Sequence, residues 1–258
     1  MKASTKQELL EKWLEEERTA HIKGWDFSHI HNRYKEEDEL PWDFKTVIKK
    51  YLTEDMTLLD METGGGEFLL SLNHPYALTS ATEGYPPNVD YCREKLLPLG
   101  IDFKEADGFE ALPFGEDYFD LITNRHGDYE ISELQRTLKK GGLFITQQVG
   151  AENDIELVEL LLGKAERPYP KQYLKIKRQE LIEAGFDILE SGEAYRPIRF
   201  YDVGALVWFA KIIEWEFPGF AVKTHLPQLY RAQEILDDTG VIEGSVHRFY
   251  LVARLRKN

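Results

Sequence analysis

A glycine-rich turn after an apolar stretch is the strongest chemical signal in the sequence. Residues 58–68 read Leu-Leu-Asp-Met-Glu-Thr-Gly-Gly-Gly-Glu-Phe, so Asp60 and Glu62 lead into three consecutive glycines. Glycines between a strand and a helix let the backbone turn sharply and let a ligand approach the main chain closely. The turn alone is not specific, because dinucleotide binders, phosphate binders and ligand-free turns share it.

Two common nucleotide-binding motifs are absent from this turn. The dinucleotide fingerprint needs a third glycine three residues after the second, and counting from Gly64 and Gly66 that position is Leu69. No Gly-Lys-Ser/Thr follows, so the phosphate loop of nucleotide triphosphatases is excluded as well. Two further acids, Glu83 and Asp107, end or follow the next two predicted strands. Acids at the carboxyl ends of consecutive strands would surround a ligand rich in hydroxyls and amines.

The chain from residue 56 onward predicts the elements that position these acids. Short apolar strands alternate with helical segments, which is typical of parallel strands joined by right-handed crossovers. We therefore predict an α/β fold with a doubly wound, mostly parallel seven-stranded sheet and flanking helices. The predicted strands are 57–61, 77–82, 101–105, 119–124, 143–149, 186–194 and 247–254, and the predicted helices lie near 65–72, 87–97, 129–139, 153–162, 171–184, 202–214 and 225–239.

Two regions outside this alternation are predicted as additions. Residues 1–42 are expected to form an N-terminal helical cap, because apolar residues recur at helical spacing within 9–14. Residues 43–258 then form the main domain, with an insertion at about 200–243 between the last two strands. Gly141 and Gly142 are expected to end a helix just before the fifth strand.

Composition limits the classes of function. The chain of 258 residues is 42% hydrophobic and carries a net charge of −14, which disfavours binding to nucleic acid, since that binding depends on Lys and Arg. Cys92 is the only cysteine, so no intrachain disulfide and no Cys-based zinc site can form. His29 and His31 have no third ligand nearby, and we expect no metal. The chain has neither a signal-peptide core nor an apolar run of the ~20 residues that span a bilayer, so we expect a cytoplasmic protein.

The sequence resembles the class I S-adenosylmethionine-dependent methyltransferases, within them the small methyltransferase-domain group. Residues 60–66 are similar to the family's Asp-x-Gly-x-Gly-x-Gly loop, with Glu62 where the first glycine is expected. Residues 119–122, Phe-Asp-Leu-Ile, resemble the family's Phe-Asp-x-Ile/Val strand. Residues 138–142 resemble its Leu-Lys-Pro-Gly-Gly turn, with Lys140 in place of proline. The resemblance covers residues 45–150 closely.

The resemblance implies a Rossmann-like methyltransferase fold and S-adenosylmethionine as the cofactor. Glu83 matches the acid that takes the ribose hydroxyls in the family, and Asp107 matches the acid near the adenine amine. Taken singly, Asp60 could instead cap the following helix, and Glu83 or Asp107 could be a solvated strand end. The expected cofactor-binding residues are Asp60, Glu62, Thr63, Gly64, Gly66, Glu83, Gly84, Asp107, Gly108, Asn124 and Arg125.

The acceptor side of the site is expected where the fourth predicted strand ends. Methyl transfer from a sulfonium mainly requires alignment and exclusion of water, and a base only where the acceptor must lose a proton. His126 is the candidate for that base, and the alternative is a hydrogen-bonding loop histidine or part of a lid over the cofactor. The candidate substrate-binding residues, each with core packing or a surface ion pair as its alternative, are Trp25, Phe27, Tyr129, Arg199 and Trp208.

We therefore predict a methyltransferase that acts on a small-molecule acceptor at oxygen or nitrogen. An RNA or protein methyltransferase is one alternative, and a non-catalytic module that binds the cofactor is another, favoured by Glu62 in the glycine loop. Cys92 lies on the second helix of the alternating region, which argues against a cysteine-nucleophile pyrimidine mechanism. The sequence does not fix the acceptor or the oligomeric state.

Overall fold

A computed structural model gives the fold of the chain and describes residues 5–21, 26–36, 40–108, 111–163 and 167–256. Eight strands in this part of the chain form one mixed sheet. They are β1 (Tyr34–Glu36), β2 (Leu58–Met61), β3 (Thr79–Glu83), β4 (Asp102–Glu105), β5 (Phe119–Arg125), β6 (Leu138–Val149), β7 (Phe186–Phe200) and β8 (Ile242–Leu255). Their order across the sheet is β1-β7-β8-β6-β5-β2-β3-β4.

The strands β2 to β6 run parallel to one another, as the alternation of strands and helices predicts, while β8 pairs antiparallel with β6. From β2 the chain passes outward to β3 and β4 and then returns to β5 and β6 on the other side of β2. The loops that leave the carboxyl ends of β2 and β5 therefore diverge. In open α/β sheets such a reversal of strand order leaves a crevice in which ligands bind.

Local sequence signals set the ends of several helices. Thr5 and Glu8 form a reciprocal capping box at the start of α1, two prolines open α4, and Gly240 ends α9 in the left-handed conformation. The helices in the described residues are α1 (Lys6–Thr19), α2 (Phe44–Lys49), α3 (Glu67–Ser71), α4 (Pro86–Leu96), α5 (Ile131–Thr137), α6 (Ile155–Leu162), α7 (Leu174–Glu183), α8 (Val203–Ile212) and α9 (Leu226–Thr239).

The structure confirms the predicted α/β fold class and adds one strand to the predicted seven. The extra strand β1 lies in the region predicted as a helical cap, and three residues are too few to show an alternating pattern. It pairs antiparallel with residues 198–200. Those residues belong to β7, which runs beyond its predicted end at 194. Pro197 interrupts the strand signal in the sequence, although β7 accommodates it near the outer edge of the sheet.

Gly141 and Gly142 lie inside β6 and do not precede it, which corrects the predicted boundary. The register between β5 and β6 shifts between Phe119 and Leu121, and Gly141 has a φ of 82°. β5 advances from Phe119 to Leu121 while β6 advances from Leu138 to Leu143, so β6 continues through a bulge-like irregularity with three extra residues. The sequence shows the glycines but not that the strand continues through them.

The chain divides into two compact units. One comprises the described parts of Met1–Leu40, Ala151–Pro170 and Tyr195–His247, and the other those of Pro41–Gly150, Lys171–Ala194 and Arg248–Asn258. The predicted N-terminal cap and the predicted insertion thus contribute to the same unit, whose core includes Trp13 and Trp208. In the other unit, the adjacent residues Leu58 and Leu59 belong to two different core clusters. This two-sided burial is expected of parallel strands.

Within the described residues, none of the helices combines the length and the apolar character that crossing a membrane requires.

Candidate functional site

Asp60, the acid near the end of β2, holds the glycine-rich loop to the sheet. It is 2% exposed; its Oδ2 accepts a hydrogen bond from the Thr63 hydroxyl at 2.7 Å, and its Oδ1 accepts one from the Thr123 hydroxyl at 2.8 Å. Burial raises the pKa of Asp60, while the two hydroxyl bonds oppose that rise. Asp60 does not cap the next helix, because α3 begins after Gly66 without a side-chain cap.

Gly64 and Gly66 both have positive φ, 62° and 75°, but their surroundings differ. A Cβ on Gly66 would lie 2.9 Å from Cδ2 of Leu96, so this glycine lets α4 pack against the loop. A Cβ on Gly64 would meet no atom within 4 Å. The open space beside Gly64 is therefore the place where a ligand can reach the backbone of the loop.

Two side chains of α4 hold carbonyl groups of the same loop. The Cys92 thiol donates to the Gly64 carbonyl at 3.0 Å, and the Lys95 Nζ donates to the Gly65 carbonyl at 2.9 Å. Burial, with the charge of Glu83 next, raises the pKa of Cys92 to about 12. The thiol is therefore a structural donor and not a nucleophile, in agreement with the exclusion of a cysteine mechanism from the sequence.

Glu83, at the end of β3, joins the glycine loop to the loop that follows β3. Its Oε2 accepts from the Gly64 N–H at 2.7 Å and its Oε1 accepts from the Tyr85 N–H at 2.9 Å. The Gly84 N–H and the Asn88 side chain also hydrogen-bond this carboxylate. Burial raises its pKa, and these donors oppose the rise. Because Glu83 is only 3% exposed, a ligand hydroxyl would have to displace or share a protein donor to reach it.

Three other glycines bring the loops at this edge of the sheet into close contact. A Cβ on Gly84 would lie 2.9 Å from the Cα of Asp107. A Cβ on Gly108 would clash with the carbonyl oxygen of Asp128, and one on Gly127 would clash with the side chain of Glu62. Gly84 and Gly108 were predicted as cofactor contacts. The structure shows that close packing of the loops requires a glycine at both positions.

Glu62 stands in the glycine loop with a φ of 54°, a left-handed conformation that is uncommon for a residue other than glycine. Burial and the nearby charge of Glu83 raise its pKa to about 7, and the charges of Asp107 and Asp128 add to this effect. The Gly108 N–H hydrogen-bonds the carboxylate and opposes the rise. Its Oε1 is buried without a hydrogen-bond partner in the described residues. The loops therefore place four carboxylates around one edge of the sheet.

Asn124, the last buried residue of β5, anchors the loop that follows this strand. Gln148 on β6 donates from Nε2 to the Asn124 Oδ1 at 2.6 Å and to the Gly127 carbonyl at 3.0 Å. Asn124 is fully buried, so it supports the loop and offers no surface of its own to a ligand.

Arg125, the last residue of β5, and His126, the first residue of the loop that follows, both have exposed side chains. The Arg125 guanidinium lies 4.6 Å from the centre of the Phe68 ring. His126 has a φ of 63°, and its backbone N–H donates to the Gln147 carbonyl at 2.8 Å. The imidazole Nε2 lies 3.1 Å from the Nε2 of Gln147. Desolvation by the surrounding protein, together with the charges of Arg248 and Arg125, lowers the pKa of His126 well below its usual value.

The residues predicted to contact the acceptor have different surroundings in the structure. Tyr129 packs its ring edge-on against Phe144 at 4.8 Å, and its buried hydroxyl has no partner in the described residues. In the other unit, Trp208 is 1% exposed and packs against Phe27, with ring centres 5.8 Å apart, so core packing is the role its surroundings show. Arg199 donates to Glu243 at 2.7 Å. Trp25 lies outside the described residues. A substrate role for these residues stays a prediction.

Groups of His, Cys, Asp and Glu that could hold a metal ion do not occur in the described part of the chain. His29, one of the two histidines considered in the sequence, has its Nε2 2.8 Å from Oε2 of Glu16.

Sequence reasoning missed the polar side chains that hold these loops from neighbouring elements. They are Cys92 and Lys95 behind the glycine loop and Gln147 and Gln148 behind the loop of His126. Two adjacent glutamines at the carboxyl end of the apolar strand β6 are a signal that could have been used. Such a pair places one amide on each face of the sheet, beside the loop that leaves β5.

Comparisons with known proteins agree with this geometry. Residues 59–146, about a third of the chain, match the family model described as methyltransferase domain. No curated protein matches the chain. Among solved structures, a protein from Bacillus halodurans assigned as a methyltransferase is 18% identical, with a TM-score of 0.57 over 83% of this chain and 99% of that chain. The YcgJ protein from Bacillus subtilis is 16% identical, with a TM-score of 0.55 over 83% of this chain and 98% of that chain.

The fold alone does not define the reaction. The [4+2]-cyclase SpnF is 17% identical, with a TM-score of 0.52 over 99% of this chain and 98% of that chain. The family match, by contrast, begins in β2 and ends in β6, and it includes the loops that follow β2, β3, β4 and β5. Residues 59–146 are therefore a class I methyltransferase domain, an enzyme domain whose cofactor is S-adenosylmethionine.

The residues of the site fit this cofactor. S-adenosylmethionine carries a sulfonium and an ammonium group, two ribose hydroxyls and an adenine amine, and it has no phosphate. The open backbone at Gly64 gives a ligand access to the loop, and the unpartnered oxygen of Glu62 is an acceptor for a donor or cation. The acids Glu62, Glu83, Asp107 and Asp128 suit a cationic ligand rich in hydroxyls and amines.

Proposed function

We propose that this protein transfers a methyl group from S-adenosylmethionine to a small-molecule acceptor, at oxygen or nitrogen. The observation that carries the proposal is the group of four carboxylates at this edge of the sheet, Glu62, Glu83, Asp107 and Asp128. Burial, together with the charges of the other three, raises the pKa of Glu62 to about 7. Like charges held this close oppose ionisation, and a cationic ligand relieves that repulsion. The sulfonium of the methyl donor provides such a charge.

The loops after β2 and β3 would hold the cofactor. Gly64 offers open backbone to the methionine part, and Glu83 is proposed to take the ribose hydroxyls by replacing part of its present backbone bonds. Asp107, exposed after β4, is proposed to lie near the adenine amine. The bound cofactor supplies an activated methyl group, so the chain's own residues need only orient the acceptor and exclude water.

The acceptor is proposed to contact two exposed side chains, Arg125 at the end of β5 and His126 in the loop that follows. A small molecule is favoured over RNA because the net charge of −14 and the acids of the site repel a phosphate backbone. We further propose a cytoplasmic protein that binds neither membrane nor nucleic acid, as expected from the sequence.

Calorimetric titration with S-adenosylmethionine and with S-adenosylhomocysteine tests the cofactor site. Glu83→Ala should weaken binding by about 1–3 kcal/mol, as for a lost bond to a charged group. Glu105→Ala is the matched control, because Glu105 ends the neighbouring strand β4 but is exposed and paired with Arg93. Unchanged affinity in a folded Glu83→Ala variant would refute this placement of the ribose.

A methyl-release assay then tests the acceptor. The panel should contain small hydroxy, amino and carboxylic acids, a short RNA and a mixed peptide substrate. Turnover with the small molecules alone supports the proposal, and turnover with RNA or peptide alone contradicts it. Tight cofactor binding without turnover on any acceptor would favour the rival function, a non-catalytic module that binds the cofactor.

A further inference from the structure

A chain of hydrogen bonds leads from Trp42 through Gln147 to His126. The indole Nε1 of Trp42 donates to the Oε1 of Gln147 at 2.8 Å. An indole nitrogen can only donate, so it fixes which end of the amide is the oxygen. Trp42 is itself held in place, because its ring packs against Tyr250 with centres 4.8 Å apart. A Cβ on Gly192 would lie 2.6 Å from Cε1 of Tyr250 and 3.5 Å from Cε3 of Trp42, so the glycine leaves room for the Tyr250 ring that packs against Trp42.

The orientation of the Gln147 amide determines what faces His126. With its oxygen bound to Trp42, Gln147 turns its NH2 group towards the imidazole, 3.1 Å from Nε2. If the amide were flipped, its NH2 would face the indole N–H, and two donors would meet. The flipped state is therefore disfavoured, and the Nε2 of His126 must accept through its lone pair.

The protonation state of His126 follows from its surroundings. A protonated ring would carry a hydrogen on Nε2 and point it at the NH2 group of Gln147, so this contact favours the neutral ring. The lowered pKa of His126, caused by the surrounding protein and by the guanidinium groups of Arg248 and Arg125, acts in the same direction. A neutral imidazole carries one N–H, and with Nε2 as the acceptor that N–H is on Nδ1. No group in the described part of the chain hydrogen-bonds Nδ1, although the ring is exposed to solvent.

We propose that His126 binds an anionic oxygen of a ligand through Nδ1–H and does not act as a general base. Trp42 and Gln147 are the positioning residues that hold this tautomer. In this state neither ring nitrogen has a lone pair available for a proton, because one carries hydrogen and the other accepts from Gln147. The neighbouring guanidinium groups of Arg125 and Arg248 favour a negatively charged oxygen at the same place.

This inference rests on the proposed function only for the nature of the ligand. It implies that the acceptor is ionised before transfer or loses its proton to water. A carboxylate fits this requirement, and the oxygen could come from the methionine carboxylate of the cofactor or from a carboxylate on the acceptor.

Nitrogen-15 NMR of protein labelled at histidine tests the tautomer directly in the wild type. The signal of His126 is assigned by its loss in His126→Asn. We expect a neutral ring with its hydrogen on Nδ1 from about pH 6 to 8, the range in which an ordinary histidine titrates. A ring with hydrogen on Nε2, or one that titrates near pH 6.5, would overturn the proposal.

Gln147→Glu tests the role of the amide. A carboxylate keeps an acceptor for Trp42 but replaces the donor that faces His126 with an acceptor. The hydrogen should move to Nε2, and the pKa of His126 should rise by roughly 1–3 units, as for a new opposite charge nearby. Gln135→Glu, on the exposed side of α5, is the matched control and should change neither property. If Gln147→Glu leaves the tautomer of a folded protein unchanged, Gln147 does not determine it.

Titration of the labelled protein with ligands identifies the source of the oxygen. A shift of the Nδ1–H signal on adding S-adenosylhomocysteine points to the cofactor carboxylate. A shift that appears only when benzoate is added to that complex points to a carboxylate of the acceptor. No shift with either ligand, once calorimetry has shown that S-adenosylhomocysteine binds, refutes the donor role. Absence of cofactor binding would instead refute the proposed function and leave the tautomer measurement intact.

Discussion

Replacing Gly64 with alanine should weaken cofactor binding, while the unfolding free energy should fall only by the cost of the left-handed backbone. Gly64 has a φ of 62°, which a residue with a Cβ adopts at roughly 1–2 kcal/mol. The new methyl group meets no protein atom within 4 Å, so no overpacking is added. It would fill the space through which a ligand reaches the loop. We expect cofactor affinity to fall at least tenfold, which corresponds to about 1.4 kcal/mol.

Gly100→Ala is the control for the backbone effect. Gly100 also has a positive φ, 89°, and also has no atom within 4 Å of its missing Cβ, but it lies in the turn after α4. Urea denaturation should therefore give similar losses of unfolding free energy for the two variants, while calorimetry should find weakened binding of S-adenosylhomocysteine only in Gly64→Ala. Normal binding by Gly64→Ala would show that the loop is not the place where the cofactor lies.

Three further predictions test the loop and its surroundings. Gly66→Ala should lose roughly 2–4 kcal/mol of unfolding free energy, since it adds contact with Leu96 to backbone strain; a loss no larger than that of Gly64→Ala would contradict this. The pKa of Glu62 is about 7 in the folded protein and 4.5 for an ordinary glutamate, so the wild-type unfolding free energy should fall as pH rises from about 5 to above 7. The shift of the Glu62 pKa corresponds to about 3 kcal/mol of unfolding free energy in full. Because the side chain is partly exposed, we expect a loss of roughly half that amount, and we expect no such loss in Glu62→Gln. Cys92, buried with its pKa raised to about 12, should react with a thiol reagent at pH 8 only after unfolding, and fast reaction of the native protein would contradict its packing.

The sequence was sufficient to predict those parts of the site that lie in one continuous segment. The turn at 58–68 shows its strand, acid and glycines within eleven residues, and the alternation of strands and helices placed Glu83 at the next strand end. Parallel strands bring their carboxyl ends to one edge, so these residues meet without further information. The structure confirms this α/β arrangement, with β1 added to the sheet.

The contacts that hold the loops could not be predicted in the same way. Trp42 and Gln147 are more than one hundred positions apart, and their hydrogen bond depends on which strands become neighbours. The same holds for Asp60, whose partner Thr123 lies on β5. The sequence also did not separate Gly64 from Gly66, because only the packing of Leu96 shows that one glycine contacts a helix and the other faces open space.

Glu62 shows how a departure from a family motif can carry chemical information. A glycine at this position would adopt the same left-handed backbone without strain, so the side chain adds about 1 kcal/mol of strain and a charge that burial and Glu83 disfavour. Its Gly108 bond and its contact with Gly127 link the glycine loop to the loops after β4 and β5. Those are the loops that carry Asp107, Asp128 and His126. Glu62 therefore links the proposed cofactor site to the loop that we propose contacts the acceptor. A cation that stabilises its ionised form would act on both loops at once.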